Sequence, residues 1–120
     1  KVCWHKVTKY FEIESRQAAV SPDSLVLTAD RARPLIDENT IGVCSMFGST
    51  YNGEFEDVKS IHDVVVELNE KNGWDVPMHV DAASGGFVAP FVQNDLVWDF
   101  QLPQVKSINV SGHKYGLVSA

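Results

Sequence analysis

The fold is decided by residues 78–86, which read Met78-His79-Val80-Asp81-Ala82-Ala83-Ser84-Gly85-Gly86. The pattern predicts a short strand over Met78 to Ala82 that ends directly in small, turn-forming residues. Two further apolar runs, Ile41 to Phe47 and Val105 to Val110, are also followed by a glycine or a serine. The first of them is typical of a parallel strand buried on both faces. The chain therefore has three predicted strands, each of which leads into a turn.

One segment between these strands has the spacing of a helix. Its apolar stripe is formed by Val58, Ile61, Val65 and Leu68, and Asn72-Gly73 is a typical C-terminal signal. An acidic cluster precedes this helix and consists of Glu54, Glu56 and Asp57. We expect its negative charges to interact with the positive end of the helix dipole rather than to take part in catalysis. Strands and helices thus alternate. The alternation predicts an α/β fold with a mostly parallel sheet and flanking helices, in which ligands bind outside the carboxyl ends of the strands.

The N-terminal third of the chain is predicted to contain three more elements. Apolar spacing indicates a helix from Val2 to Phe11, and the alternation from Glu12 to Val20 indicates a strand. Thr28 is the predicted N-cap of a second helix that runs to about Glu38. Pro34 lies inside that helix and should kink or shorten it, because proline has no backbone N–H.

Length and charge limit the possible functions. With 120 residues, of which 44% are hydrophobic, the chain is one globular domain or part of one. The net charge of -6 leaves no basic surface for nucleic acid. No apolar run approaches the roughly 20 residues of a membrane-spanning helix. We therefore expect neither nucleic acid nor a membrane as a partner.

The cysteines and the two ends of the chain suggest its context. Cys3 and Cys44 are far apart, which argues against a disulfide framework and favours a reducing compartment, expected to be the cytoplasm. Both thiols are predicted to be small core residues. The chain begins with Lys1 rather than with methionine and stops directly after an apolar run, so we expect an internal fragment of a longer protein.

Two predicted strands end in ionisable groups. Asp81 follows one strand, and Lys114 lies in the turn Ser111-Gly112-His113-Lys114 after another. Each residue alone is equally compatible with a turn. Together they supply the carboxylate and the amine that pyridoxal phosphate enzymes require, the carboxylate for the pyridine nitrogen and the amine for the aldehyde. His79 and Asp81 have no third convergent ligand, so we expect no metal site.

Several longer motifs resemble glutamate decarboxylase of the bacterial, plant and fungal type. Besides the motif around Asp81, they are Asp37-Glu38-Asn39-Thr40-Ile41-Gly42-Val43, Leu96-Val97-Trp98-Asp99-Phe100, Leu102-Pro103, Val105-Lys106-Ser107-Ile108 and Ser111-Gly112-His113-Lys114. The resemblance covers essentially the whole chain. It implies that residues 1–120 are part of the large cofactor-binding domain of an aspartate aminotransferase-like enzyme, that is, of pyridoxal phosphate fold type I. The implied activity is decarboxylation of L-glutamate to 4-aminobutanoate and carbon dioxide.

The resemblance also implies a role for individual residues. Lys114 corresponds to the lysine that forms a Schiff base with pyridoxal 5′-phosphate, and Asp81 to the acid paired with the pyridine nitrogen. The other implied cofactor contacts are Ala83 on the ring face, Thr50 after the first predicted strand, Ser111, and His113 at the phosphate. One departure is Lys1, which stands where the family commonly has a glutamine, and we assign it no role.

The resemblance further implies a homo-oligomeric full-length enzyme whose main phosphate loop, substrate-carboxylate site and small domain lie outside these residues. We therefore expect the isolated segment to be inactive. The sequence alone leaves two alternatives open. One is another pyridoxal phosphate-dependent decarboxylase or lyase of the same fold, and the other is a non-catalytic α/β module. The proton donor after decarboxylation is not identified by the sequence.

Overall fold

The sheet has three parallel strands. The computed structural model describes residues 2–119, and only the backbone of Val2. The strands lie in the order β1, β2, β3 and have the bounds Val43–Met46, Met78–Asp81 and Val105–Asn109. The predicted α/β architecture with a parallel sheet is thus confirmed, although every strand is shorter than its apolar run.

The first strand is less buried than its apolar run suggests. Ser45 is buried, but Val43, Cys44 and Met46 are half-buried, and Ile41 is exposed before the strand begins. β1 is an edge strand of the described sheet, so it has a neighbouring strand on one side. Because three of its four residues are only half-buried, the prediction of a strand buried on both faces is wrong for β1. An apolar run does not show which layers cover it.

The main helix covers the sheet. α3 spans Val58–Asn72, as the apolar stripe predicts. Its N-cap is Asp57, whose carboxylate accepts a hydrogen bond from the Ser60 N–H at 3.0 Å. Its C-cap is Gly73, whose φ of 70° lies in the left-handed region that glycine adopts without strain. The core joins apolar residues of this helix to the sheet: Val58, Ile61, Val65, Met78 and Val80.

The remaining helices are short. α1 spans Val2–Tyr10, which confirms the first predicted helix. The helix predicted from Thr28 to Glu38 is wrong in its length: α2 spans Ala29–Ala32 and passes into a 3-10 turn over Arg33–Leu35. Pro34 lies in this turn, so the predicted shortening is confirmed. Thr28 occupies the N-cap position without a side-chain cap hydrogen bond. α4 spans Ala89–Val92.

The strand predicted over residues 12–20 is wrong. No ladder forms there, and Glu12 has a φ of 55°, which ends α1 in a sharp turn. The segment is held instead by the guanidinium of Arg16, whose Nη1 lies 2.5 Å from Asp37 Oδ2. The hydrogen bond from Arg16 lowers the pKa of Asp37. An alternating pattern becomes a strand only where a partner strand lies beside it.

The first helix also decides the environment of a cysteine. Cys3 is exposed on α1, so its predicted place in the core is wrong, whereas Cys44 in β1 is half-buried. Helical spacing alone does not say which face of a nine-residue helix is covered. None of the helices within residues 2–119 combines the length and the apolar character needed to cross a membrane.

Glu56 has a structural role that differs from the predicted one. Its side chain is buried and does not lie at the N-terminus of α3. Asp57 lies there instead, as the N-cap. Glu56 Oε2 accepts hydrogen bonds from the Ser45 hydroxyl at 2.8 Å and from the Met46 N–H at 2.6 Å. Its Oε1 accepts one from the Leu27 N–H at 3.1 Å. One carboxylate therefore joins β1 to the segment that leads into α2.

Replacing Glu56 by alanine is expected to destabilise the full-length protein, by which we mean the complete product of the gene that encodes these residues. The substitution leaves three donors without this acceptor, and we expect a loss of about 3 kcal/mol. Thermal or denaturant unfolding measures it. Glu54→Ala is the matched control, since Glu54 is exposed two residues away, and it should cost less than about 0.5 kcal/mol. Equal stability of the two variants would contradict this role.

Candidate active site

Three loops meet at the carboxyl ends of the strands. They follow β1, β2 and β3 and span residues 48–53, 82–86 and 111–116. The Gly85 N–H donates to the Phe47 carbonyl at 3.0 Å, and the Ser111 N–H donates to the Ala83 carbonyl at 3.1 Å. The middle loop is thus hydrogen-bonded to both of its neighbours. Parallel strands with a common direction place all three loops at one edge, where α/β proteins bind ligands.

The contact between the first two loops requires glycine. A Cβ atom on Gly85 would lie 2.2 Å from the Phe47 carbonyl oxygen, which no side chain tolerates. Gly48 has a φ of 111°, and the Ser84 hydroxyl donates to its carbonyl at 3.1 Å. The Ser-Gly-Gly sequence after β2 therefore allows the two loops to approach closely.

The larger cavity at this edge contains the predicted lysine. It has a volume of about 710 Å³, and Thr50, Ser84 and Lys114 are among the residues that line it. Thr50 is exposed, while Lys114 is half-buried. The lining supplies an amine together with hydroxyl groups, and the volume lies in the range of small-molecule sites. An amine and hydroxyl groups suit an anionic ligand.

Asp81 occupies the end of β2 and is 3% exposed. Its Oδ1 accepts hydrogen bonds from the Ala83 N–H at 3.2 Å and from Asn109 Nδ2 at 3.1 Å. The first of these bonds is the local turn that an aspartate commonly makes with the residue two positions on. The turn interpretation of Asp81 therefore holds, and a functional role would be additional to it.

Asp81 and Lys114 line different cavities. Asp81 lies at a smaller cavity of about 290 Å³, together with Trp4, His79 and Asn109. The structure therefore brings Thr50 and Lys114 to one cavity and Asp81 to another, and connects the loops of Asp81 and Lys114 through the bond between Ser111 and Ala83. Their convergence on one ligand remains a prediction.

The other predicted site residues lie in the same loops. Ala83 is buried, Ser111 is half-buried and His113 is exposed. None of these three lines either cavity, so their contacts with a cofactor remain predictions. Lys1 lies outside the described residues.

Sequence reasoning missed Asn109 and treated His79 only as a metal ligand to be excluded. In the structure His79 Nε2 lies 2.8 Å from Asn109 Oδ1, and His79 Nδ1 lies 2.7 Å from the Ser107 hydroxyl. Within residues 2–119, no group of three His, Cys, Asp or Glu residues has the geometry of a metal site. The spacing of two residues between His79 and Asp81, repeated between Ser107 and Asn109, was the available signal for a shared face.

The chain belongs to the pyridoxal-dependent decarboxylase family, because the model of that family's conserved domain matches residues 1–120. It is 58% identical over 120 residues to glutamate decarboxylase 2 of Arabidopsis thaliana, covering all of this chain and 24% of that protein. The resemblance to glutamate decarboxylases is thereby confirmed. The chain spans about a quarter of the length of such relatives.

Solved structures agree with this assignment. A glutamate decarboxylase of Lactobacillus brevis superposes with a TM-score of 0.94 at 42% identity, over 98% of this chain and 27% of that one. A sphingosine-1-phosphate lyase of Burkholderia pseudomallei superposes with a TM-score of 0.83 at 26% identity, over 98% and 26% of the two chains. The predicted fold class, part of an enzyme of pyridoxal phosphate fold type I, is confirmed by these similarities.

Proposed function

We propose that the full-length protein decarboxylates L-glutamate to 4-aminobutanoate and carbon dioxide with the aid of pyridoxal 5′-phosphate. The observation that carries the proposal is the 58% identity to a plant glutamate decarboxylase along the entire chain. The residues that bind the distal carboxylate of glutamate are proposed to lie outside the chain.

The loops at the sheet edge fit the cofactor chemically. Lys114 presents an amine at a cavity of about 710 Å³ that is also lined by the hydroxyl groups of Ser49 and Thr50. Asp81 is a buried carboxyl group at the end of the neighbouring strand. When bound, pyridoxal phosphate supplies an electron sink for the bond that breaks at the substrate's α-carbon. An amine, hydroxyl groups and a buried acid are the groups that such a cofactor needs from its protein.

Each residue has a distinct task in this proposal. Lys114 would hold the cofactor through its amine. Asp81 would accept a hydrogen bond from the protonated pyridine nitrogen and keep it charged, since a nearby carboxylate favours the protonated form. Thr50 and Ser111 would contribute hydroxyl donors, His113 would contact the phosphate, and the small Ala83 would lie at the ring face.

Related reactions are the second candidate, and the superposition with a lyase of lower identity is the observation that favours them. A decarboxylase for another amino acid, or a lyase, would use the same lysine and acid. The higher identities to glutamate decarboxylases favour glutamate. A non-catalytic α/β module is disfavoured, because both Asp81 and Lys114 are present.

The proposal extends to the setting of the enzyme. We place the full-length protein in the cytoplasm as a homo-oligomer that acts on a small molecule, with neither nucleic acid nor a membrane as partner. The net charge of -6 and the low cysteine content of these 120 residues support the compartment and the absence of a nucleic-acid partner. The homo-oligomer is what the similarity to glutamate decarboxylases implies. Size-exclusion chromatography and cell fractionation of the full-length protein test the oligomer and the compartment.

Borohydride reduction is expected to attach pyridoxal phosphate covalently to Lys114 in the full-length protein. A neutral amine is required for the attachment, and Lys114 is the lysine at the larger cavity. Peptide mapping by mass spectrometry identifies the labelled residue, and carbon dioxide release from L-glutamate, compared with L-aspartate, identifies the substrate. Lys106 is the internal control, since its Nζ donates to the Pro103 carbonyl at 2.7 Å outside the site. Label on Lys106 with Lys114 unmodified would refute the assignment.

A further inference from the structure

Four side chains form a row across two neighbouring strands. In the parallel pairing of β2 with β3, His79 is opposite Ser107 and Asp81 is opposite Asn109. Residues two apart on a strand share a face of the sheet, so all four side chains lie on the same face. They are joined by hydrogen bonds of 2.7 Å between Ser107 and His79, 2.8 Å between His79 and Asn109, and 3.1 Å between Asn109 and Asp81.

An ionised carboxylate at Asp81 fixes the direction of the two bonds nearest to it in this row. An ionised carboxylate only accepts, so Asn109 must direct its Nδ2 donor to Asp81. The Asn109 Oδ1 then faces His79, and His79 Nε2 must carry the proton that this oxygen accepts. If the imidazole is neutral, its other nitrogen is an acceptor, and His79 Nδ1 accepts a hydrogen bond from the Ser107 hydroxyl. In this state the donors all point towards Asp81.

The row connects an exposed part of the sheet to a buried acid. Ser107 and Asn109 are exposed and His79 is half-buried, whereas Asp81 is 3% exposed. Trp4 of α1 packs against the His79 ring at a centroid distance of 5.1 Å and an angle of 62°. This contact restricts rotation of the ring. Hydrogen bonds in such a chain polarise one another, so each link strengthens the next.

We propose that Asn109 is a positioning residue that orients the Asp81 carboxylate towards the cofactor's pyridine nitrogen, and that His79 fixes the orientation of the Asn109 amide. This role rests on the proposed function, because it requires a bound cofactor whose pyridine nitrogen contacts Asp81. The backbone turn supplies one donor to Asp81 Oδ1, from Ala83. Asn109 supplies a second donor to the same oxygen from the neighbouring strand, so this oxygen is held from two directions.

The test compares two substitutions of Asn109 in the full-length protein. Asn109→Ala removes the donor, and we expect about a tenfold higher Kd for pyridoxal phosphate, measured by titration of the cofactor-free protein. We expect kcat to fall by about tenfold as well, with KM for L-glutamate changed by less than about threefold. Asn109→Asp keeps the size but places a second carboxylate beside Asp81, so its loss should exceed that of alanine. A purely structural role would lower the melting temperature of Asn109→Ala while leaving its kcat and its Kd for pyridoxal phosphate unchanged, and that result would overturn the proposal.

Substitutions of His79 test the direction of the bonds. His79→Gln retains an amide donor near the position of Nε2 and should keep the Kd within about threefold of the wild type. His79→Ala lacks the donor and should approach Asn109→Ala. Lys106→Ala is the control on the same strand, since Lys106 is exposed and bonds outside the row, and its Kd should equal that of the wild type. Equal affinities of His79→Gln and His79→Ala would contradict the proposed role of His79.

A double-mutant cycle in the cofactor-free protein separates this proposal from the proposed function. If the row exists, Asn109→Ala and His79→Ala break the same chain, and their losses of melting temperature should be less than additive in the double variant. Additive losses overturn the row whether or not the protein binds pyridoxal phosphate. If the two substitutions are coupled but the wild-type protein binds no pyridoxal phosphate, the proposed function is refuted, and the positioning role with it. The hydrogen-bonded row is supported in that case.

Discussion

Replacing Lys114 by alanine is expected to abolish decarboxylation by the full-length protein. The variant lacks the amine that would attach the cofactor to the protein, so turnover should fall by roughly 10³-fold or more. The cofactor's visible absorbance should also lose the band that depends on its attachment to the protein. Carbon dioxide release and absorbance spectra, recorded on one preparation, measure both effects.

The Lys114 variant is expected to remain folded. The side chain is half-buried in a loop, and its backbone N–H, which donates to the Ser111 carbonyl at 3.1 Å, is retained in alanine. The change in stability should therefore stay within about 0.5 kcal/mol. Lys106→Ala is the matched control and should retain wild-type turnover. Normal turnover of Lys114→Ala would end the proposed function.

Substitutions of Asp81 are expected to separate the effect of its negative charge on turnover from the effect of its turn hydrogen bond on stability. Asp81→Asn keeps an oxygen that accepts from Ala83 and Asn109 but removes the negative charge near the pyridine nitrogen. Turnover should fall by about 10²–10³-fold, as when other preorganised electrostatic groups are removed. The melting temperature should change little, because a neutral amide is easier to bury than a carboxylate. Decarboxylation rates and thermal unfolding, measured together, test this pattern.

Asp81→Ala provides the comparison, since it removes the turn contact as well. It should lose turnover to at least the same extent and also lose about 1 kcal/mol of stability. If Asp81 served only the turn, Asp81→Asn would have normal turnover and Asp81→Ala would show the stability loss alone. The two variants thus assign the activity to the charge and the stability to the local hydrogen bond.

Local patterns were sufficient for the elements whose ends carry their own signals. Helix α3 follows from its apolar stripe together with Asp57 before it and Gly73 after it. The strands β2 and β3 follow from short apolar runs that end in turn residues, and their alternation with helices indicates a parallel sheet. The sequence alone therefore predicts Asp81 and Lys114 at one edge of the sheet.

Sequence patterns were misleading where no other element of the structure covers or pairs with the segment. Residues 12–20 alternate as a strand does, yet Glu12 turns the chain away from α1 and no strand lies alongside. Cys3 is an apolar-type residue that was predicted to lie in the core, but α1 leaves it exposed. In both cases the sequence describes a surface that would be buried if something covered it, and the covering element is a long-range property.

The sequence by itself determined the family, the α/β alternation and the residue types available for chemistry, because these depend on short motifs and local periodicity. Only the tertiary structure decided that Glu56 holds β1 to the segment before α2 and that Asn109 reaches Asp81. The physical reason is register. A contact between Asn109 and Asp81 exists only because β2 and β3 pair with those residues opposite each other, and a shift of one residue would turn the two side chains to opposite faces.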